Sequence, residues 1–253
     1  MAHKIHFSAS AAPDAQDSLG DLVDRYGQNA IEEATIVVAL GGDGFMLQTL
    51  HDTQHLALPV YGMNRGTVGF LMNAYHSDDL FERLEQSERA EIHPLSVTVT
   101  SQDRKTHSAL AINEVSLLRA GPQAAKLRIS VDGRIRMDEM VCDGALLATP
   151  AGSTAYNYSA HGPILPIDAD VFALTALNAF RPRRWRGALL PQKAHVRFDV
   201  LESQKRPVRA DADSQSFDDV VRVDIVSERS ITHALLFDPG HGLEERLIRE
   251  QFV

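Results

Sequence analysis

Ala34-Thr35-Ile36-Val37-Val38-Ala39-Leu40, followed at once by Gly41-Gly42-Asp43-Gly44 and then by Phe45-Met46-Leu47-Gln48-Thr49-Leu50-His51, is the stretch from which the fold is read. The first seven residues are short, apolar and rich in β-branched side chains, the pattern of a strand buried on both faces of a parallel sheet. The last seven read as the start of a helix. Between them lies a glycine turn with one carboxylate. Glycines let the backbone approach a ligand closely, and the free N–H groups of a helix N-terminus attract phosphate. A carboxylate repels phosphate, and suits taking a proton from a hydroxyl or holding a metal. Phosphoryl transfer to an alcohol needs both features at one spot. Taken alone, the four residues also fit a tight loop with Asp43 as a helix cap.

The βαβ grammar continues outward from this turn. Met1–Ser8 reads as a first short strand, without the apolar h-region of a signal peptide. Asp17–Tyr26 reads as a helix and Leu58–Met63 as a further strand. Asn64–Phe70 reads as a glycine-punctuated loop, and a helix opens with Ser77 as its N-cap. This alternation predicts an α/β domain with a parallel sheet over residues 1–90. From about residue 91 the pattern changes to apolar–polar alternation, in Leu95–Thr100, Lys126–Val131, Val196–Val200 and Val221–Val226. Asp132-Gly133 is a hairpin turn signal. A mostly antiparallel, sandwich-like all-β domain of two packed sheets is expected over 91–234, interrupted by one helix around Ala169–Phe180. The tail, 235–253, reads as helical around Gly242–Arg249 and is expected to return to the first domain. The boundary near 90 is tight, so a cleft between the halves is the expected ligand site.

Composition sets further bounds. The 253 residues are 44% hydrophobic and 23% charged, with a formal net charge of −9. That charge argues against nucleic acid, which needs a basic surface, but leaves phosphorylated small molecules open. No apolar run approaches the roughly 18 to 20 residues of a membrane span. Cys142 is the single cysteine, so no internal disulfide can form. A cytoplasmic protein, with no membrane partner, is expected. His51 and His55 share i, i+4 spacing without the glutamate of a zinc protease motif, and one cysteine makes no thiolate zinc site. No structural metal is expected. Cys142 reads as a small buried residue, and Met46 and Leu47 as core.

Two further polar clusters carry chemistry. Asn113-Glu114 lies between apolar, strand-like flanks, where an amide and a carboxylate are costly unless paired. The amide can read a purine edge or a ribose hydroxyl, and the carboxylate can accept from a hydroxyl; the pair also fits opposite faces of a strand with one member in solvent. Cys142–Pro163 is a strand followed by a loop of small and hydroxyl residues, suited to a phosphate or a ribose, or equally to a tight Ser/Thr turn. Gly152-Ser153-Thr154-Ala155 is no nucleophile elbow, which wants glycines two residues either side of the serine. The basic run Arg181–Arg186 fits a solvated face, an ATP contact or a neighbouring subunit.

In their order and separations, residues 41–44, 113–114 and 149–156 resemble the NAD kinase family, whose pattern is Gly-Gly-Asp-Gly, then Asn-Glu, then Thr-Pro-x-Gly-Ser-Thr-Ala-Tyr. The third motif is highly specific. The first is shared with diacylglycerol-type lipid kinases and phosphofructokinases. The resemblance spans nearly the whole chain, and implies transfer of a phosphoryl group, usually from ATP with a divalent cation such as Mg²⁺, to the 2′-hydroxyl of the adenosine ribose of NAD, giving NADP. It further implies that Asp43 is the general base, that Gly41, Gly42 and Gly44 let phosphates approach, and that Phe70 lines the adenine pocket. Asn113 and Glu114 would hold adenine and ribose; Thr154, Ala155, Tyr156 and Ser159 would frame them. Asp143 resembles a residue that reaches the nicotinamide end across a subunit contact, which implies a homodimer or homotetramer. Four positions depart from the commoner pattern: Phe45 and Ala151 where threonine is frequent, His161 where glycine is usual, and Asp211 followed by Ala212 instead of glycine, which leaves the role of Asp211 open. Two rival readings are a lipid kinase of the same superfamily and a sensor that binds NAD without turnover.

Overall fold

The computed structural model describes residues 3–66, 69–240 and 242–250. Met1 and Ala2 of the expected first strand, Thr67 and Val68 of the glycine-punctuated loop, and residues 241 and 251–253 of the tail lie outside the described residues. The chain forms two compact units, residues 1–92 with 231–253, and residues 93–230. The first stretch contributes β1 (Ile5–Ala9), α1 (Pro13–Tyr26), β2 (Ile36–Gly41), α2 (Asp43–Thr53), β3 (Val60–Asn64), α3 (Leu80–Gln86) and β4 (Glu88–Ile92). The second unit contains β5 (Leu95–Ser101), β6 (Thr106–Ala111), β7 (Glu114–Arg119), β8 (Ala125–Val131), β9 (Arg134–Cys142) and β10 (Gly144–Ala148). It continues with α4 (Tyr156–Ser159), β11 (Val171–Leu177), β12 (Gly187–Pro191), β13 (Val196–Val200), β14 (Val208–Ala212), β15 (Gln215–Phe217) and β16 (Val220–Ser227). The chain then returns to the first unit with β17 (His233–Phe237) and α5 (Leu243–Glu250).

The first unit is a five-stranded sheet in the order β1-β2-β3-β17-β4. The first four strands run parallel, and β4 pairs antiparallel with β17. β2 is buried along its whole length, as its uninterrupted apolar run requires. α1 packs on β1 and β2, and α2 on β2 and β3. α1 starts four residues before the predicted Asp17, because Pro13 supplies a pre-set φ at its first turn. The helix expected to open at Ser77 begins at Leu80, after Asp79 in the left-handed region at φ 55. Ser77 does not cap it: the Ser77 carbonyl accepts from the Tyr26 hydroxyl (2.9 Å) and Arg25 Nη1 (3.1 Å), which hold it in the loop. His233 and Ala234, expected in the second domain, belong to a strand of this sheet, because β17 hydrogen-bonds to β3 on one side and β4 on the other.

The second unit is a sandwich of two six-stranded sheets, β12-β11-β10-β7-β14-β15 and β6-β5-β16-β13-β8-β9. The alternating residues Leu95, Val97, Val99, Leu127, Ile129, Val131, Val196 and Phe198 of one sheet share a core with Val115, Leu117, Ala145, Leu147, Phe172 and Leu174 of the other. Asp132 and Gly133 both take positive φ, 52° and 73°, as a two-residue hairpin turn demands. The helix expected around Ala169–Phe180 is instead β11, paired with β10 and β12. Phe172 to Leu177 are all buried, and a short run apolar on both faces carries no period that separates strand from helix.

Asn73 ties the strands of the first unit together. It is fully buried; its Nδ2 donates to the carbonyls of Gly62 (3.1 Å) and Leu236 (3.0 Å), and its Oδ1 accepts from the Asp238 amide (3.0 Å). Asn73→Ala removes these three side-chain hydrogen bonds, although the Gly62 carbonyl keeps the residue-73 amide (2.8 Å), so it is expected to destabilise this unit by about 2 to 4 kcal/mol; a urea titration that showed an unchanged midpoint would contradict this.

Candidate active site

β2 ends at Gly41, the carboxyl end of a parallel strand, where ligands of α/β sheets sit. Gly42 takes extended φ and ψ before α2 begins at Asp43. The half-buried Asp43 does not spend its carboxylate on its own helix. Oδ2 accepts from the Phe70 amide at 2.7 Å and Oδ1 from the Leu71 amide at 3.0 Å. A Cβ on Gly69 would lie 2.3 Å from Asp43 Oδ1, and one on Gly41 would lie 2.8 Å from Phe45 Cβ, so both positions need the absence of a side chain. Gly42 and Gly44 have open space where a Cβ would stand, which leaves their backbone approachable. Phe70 is half-buried directly beside this carboxylate.

In the second unit, Asn113 and Glu114 stand where β6 turns into β7. A residue that the sequence reading did not single out shapes this turn. The Asp213 carboxylate accepts from the amides of Ile112 (2.6 Å), Asn113 (2.9 Å) and Glu114 (3.3 Å). Asp213 lies just after β14, at a positive φ of 47° that aspartate tolerates better than most residues. Asp211, two residues earlier, instead accepts from Arg209 Nε (3.2 Å) and Ser216 Oγ (2.5 Å). Asn113 Oδ1 and Glu114 Oε2 are buried and have no hydrogen-bond partner among the described residues. Buried polar atoms are ordinarily paired, so this amide and carboxyl are ready for a ligand's donors. Burial pushes the Glu114 carboxyl up to about 8, with the Asp213 charge adding to the shift and the Tyr156 amide opposing it.

The hydroxyl-rich loop divides its residues between scaffold and surface. Thr149 Oγ1 donates to the Ile112 carbonyl (2.7 Å) and accepts from the Gly152 amide (3.0 Å). Ser153 Oγ donates to the Pro150 carbonyl and accepts from the Leu165 amide. Asn157 donates to the Ser153 and Pro163 carbonyls and accepts from Thr175 Oγ1 at 2.6 Å. A Cβ on Gly152 would stand 2.1 Å from the Asn113 carbonyl, so the loop lies directly against that residue. Thr154 and Ala155 remain half-buried, and Tyr156 and Ser159 exposed. Partial burial raises the pKa of the Tyr156 phenol, as do the charges of Glu114, Asp211 and Asp143, so these four residues are drawn to one place.

Asp143 is gripped by Arg119 Nε (2.6 Å) and Asn178 Nδ2 (2.9 Å), neither foreseen in the sequence. The Asn178 hydrogen bond, with Arg119 behind it, lowers the Asp143 pKa. His161, where glycine was expected, has a φ of 60°, the conformation for which glycine is suited. Burial pushes the Cys142 thiol up to about 12, which suits an inert core residue. Arg181 to Arg184 are exposed. Among the described residues no group of three or more His, Cys, Asp or Glu side chains is placed to hold a metal.

Residues 2–92 match the ATP-NAD kinase N-terminal domain and residues 112–234 the ATP-NAD kinase C-terminal domain. The chain belongs to the NAD kinase family. It is 67% identical to an NAD kinase of Cereibacter sphaeroides (strain ATCC 17029 / ATH 2.4.9), over 99% of this chain and 98% of that protein. It is 58% identical to an NAD kinase of Caulobacter vibrioides, over 98% and 96%. Its fold is that of yeast NADH kinase complexed with NADH (TM-score 0.83, 20% identity, 98% of this chain and 86% of that one). It is also that of an NAD kinase from Archaeoglobus fulgidus in complex with ATP (TM-score 0.74, 24% identity, 98% and 96%).

Glu114 carries a pH signature. Its carboxyl ionises near 4.5 when unfolded and near 8 when folded, so between these values the folded state keeps a proton that the unfolded state has released. The stabilisation is complete below the lower value and is lost as pH rises through the upper one. Glu114→Gln removes this term, so the melting temperature of the variant minus that of the wild type should climb from pH 4.5 to pH 8; a difference flat across that range would contradict the assignment.

Proposed function

We propose that this chain transfers the γ-phosphoryl group of ATP to the 2′-hydroxyl of the adenosine ribose of NAD, giving NADP. The observation that carries the reading is the Asp43 carboxylate, fixed by two amides at the mouth of a glycine turn that opens a helix. Aimed at the ribose hydroxyl, it accepts the proton. A carboxylate is a weak base for an alcohol, so proton removal lags phosphoryl transfer, which a loose transition state accommodates. The open backbone at Gly42 and Gly44 gives phosphates room to approach. Asn113 Oδ1 accepts from an exocyclic amine or a hydroxyl, and Glu114, carrying its proton near neutral pH, pairs with a ribose hydroxyl without placing a charge beside an anionic dinucleotide. Thr154, Ala155, Tyr156 and Ser159 frame adenine and ribose, and Phe70 lines the adenine pocket.

The residues fit a divalent cation delivered with the nucleotide. Mg²⁺ takes one or two carboxylates and completes its shell with phosphate oxygens and water. Asp43 supplies such a carboxylate, and each of its oxygens accepts one amide, which leaves capacity on both. When bound, the ion neutralises charge on the transferring phosphates. No helix among the described residues is long and apolar enough to cross a membrane; a cytoplasmic enzyme acting on free nucleotides is our reading, and no observation favours a lipid kinase or a sensor without turnover.

Purified protein with NAD, ATP and magnesium is expected to form NADP; tight NAD binding with no product above background would favour the sensor. Asp43→Asn should leave NAD affinity within severalfold while the rate falls by about two to four powers of ten, the span of a general base. A variant turning over at the wild-type rate would remove Asp43 from that role. Asp143 is proposed to reach the nicotinamide end of a dinucleotide held by a second copy, in a homodimer or homotetramer. Sedimentation of the active protein should therefore show an oligomer, and a fully active monomer would strike Asp143 from the site.

A further inference from the structure

The amides that hold Asp43 belong to two peptide units whose other ends are also taken. In a trans peptide unit the C=O and the next N–H point in opposite directions. The unit joining Gly69 and Phe70 turns its N–H to Asp43 Oδ2 (2.7 Å) and its C=O to Arg246 Nη1 (3.5 Å). The unit joining Phe70 and Leu71 turns its N–H to Asp43 Oδ1 (3.0 Å) and its C=O to the same nitrogen (3.2 Å). Arg246 comes from α5, 177 residues beyond Gly69 and 176 beyond Phe70 in the chain and in the same compact unit. The same Nη1 also donates to the Met72 carbonyl, and Nη2 reaches Asn73 Oδ1 at 3.5 Å. The guanidinium stands 5.2 Å from the ring centroid of the fully buried Phe237. A cation therefore lies at the negative ends of two peptide dipoles whose positive ends grip the carboxylate. Lysine, a point charge on a flexible stem, does not reproduce a planar fork gathering several carbonyls.

We propose that Arg246 is a positioning residue for Asp43, acting through the two peptide units between Gly69 and Leu71. The inference rests on the proposed role of Asp43 and goes beyond it, since it makes the C-terminal helix part of the machinery that orients the base. The role is one of orientation: Arg246 holds the N–H pair, and the N–H pair holds the carboxylate.

The test is steady-state NAD phosphorylation by the full chain, as a double-mutant cycle. Arg246→Ala is expected to lower kcat by roughly tenfold to a hundredfold, the scale of a misplaced catalytic group, with KM for NAD within about threefold. In an Asp43→Asn background the same change should alter the residual rate by less than about threefold, because the group it orients has already lost its function. Added guanidinium should restore part of the rate to Arg246→Ala and none to the double variant. Arg246→Lys, which keeps the charge and most of the volume, carries the same comparison if the alanine protein melts below the assay temperature. Two results would overturn the proposal: an unchanged kcat in folded Arg246→Ala, or an equal loss with and without Asp43, which marks a purely structural role. A wild-type rate in Asp43→Asn alone would instead refute the reading of Asp43, so the two failures are told apart.

Discussion

The grip of two backbone amides on the Asp43 carboxylate is the constraint around which the first unit is arranged. A charge-assisted hydrogen bond to each oxygen fixes both the position and the plane of the group, which one bond could not do. That geometry requires several independent pieces to agree. β2 must deliver Gly41 to the sheet's carboxyl edge, and Gly69 must lack a side chain so that residues 69–71 can close on the carboxylate. The same segment must be anchored behind, which Asn73 does by joining the backbones of β3 and β17. β17 arrives only after the chain has completed the whole second unit. The N-terminal motif is thus finished by residues from the far end of the sequence, and the ordering of the glycine turn is a long-range event rather than a local one.

The second unit uses the same device with the roles exchanged. In the first, two amides of a loop hold the Asp43 carboxylate; in the second, the carboxylate of Asp213 gathers three consecutive amides and thereby shapes the turn that carries Asn113 and Glu114. Thr149 closes the opposite side by bonding to the Ile112 carbonyl, and Gly152 lies against Asn113. With its backbone donors and acceptors satisfied from both sides, this turn leaves two buried side-chain oxygens, Asn113 Oδ1 and Glu114 Oε2, unmatched among the described residues. The three consecutive bonds to Asp213 and the unpaired atoms on its neighbours are parts of one arrangement.

What could be read from the sequence followed from periodicity and from local chemistry. The run from Ile36 to Leu40 and the alternation in Leu95–Thr100 name their own strands, because burial on two faces or on one leaves a direct trace in residue type. The Gly-Gly-Asp-Gly turn likewise declares a strand–helix junction. Phe172–Leu177 left no such trace: it is buried on both faces as Ile36–Leu40 is, but carries alanine and leucine, which favour a helix, where the other run carries β-branched residues. Ser77 looked like a cap because it precedes acidic residues, yet Tyr26 and Arg25, some fifty positions away, decide where it goes. Long-range partners also hid Asp213, which sits two residues from the aspartate that the motif order brought forward. In Ala-Asp-Ala-Asp, only the fold reveals that one carboxylate lies on a strand beside Arg209 while the next reaches the 112–114 amides.

A chain of net charge −9 in which Glu114, Asp143, Asp211 and Asp213 lie near one another would repel an anionic dinucleotide if all four carboxylates were free. The electrostatics resolve residue by residue. Asp143 is matched by Arg119 and Asn178, Asp211 by Arg209 and Ser216, and Asp213 by three amides. Glu114 is held by burial, with the Asp213 charge adding to it, and keeps its proton well above the ordinary carboxyl range. Every carboxylate in the cluster is therefore either countered in place or uncharged, and the acceptor oxygens stay available without the field that four free anions would set up. This also explains why the sandwich tolerates Glu114 at all: an ionised carboxyl that deep beside Asp213 would be expelled into water, whereas a protonated one is a neutral hydrogen-bonding group that a buried turn can keep.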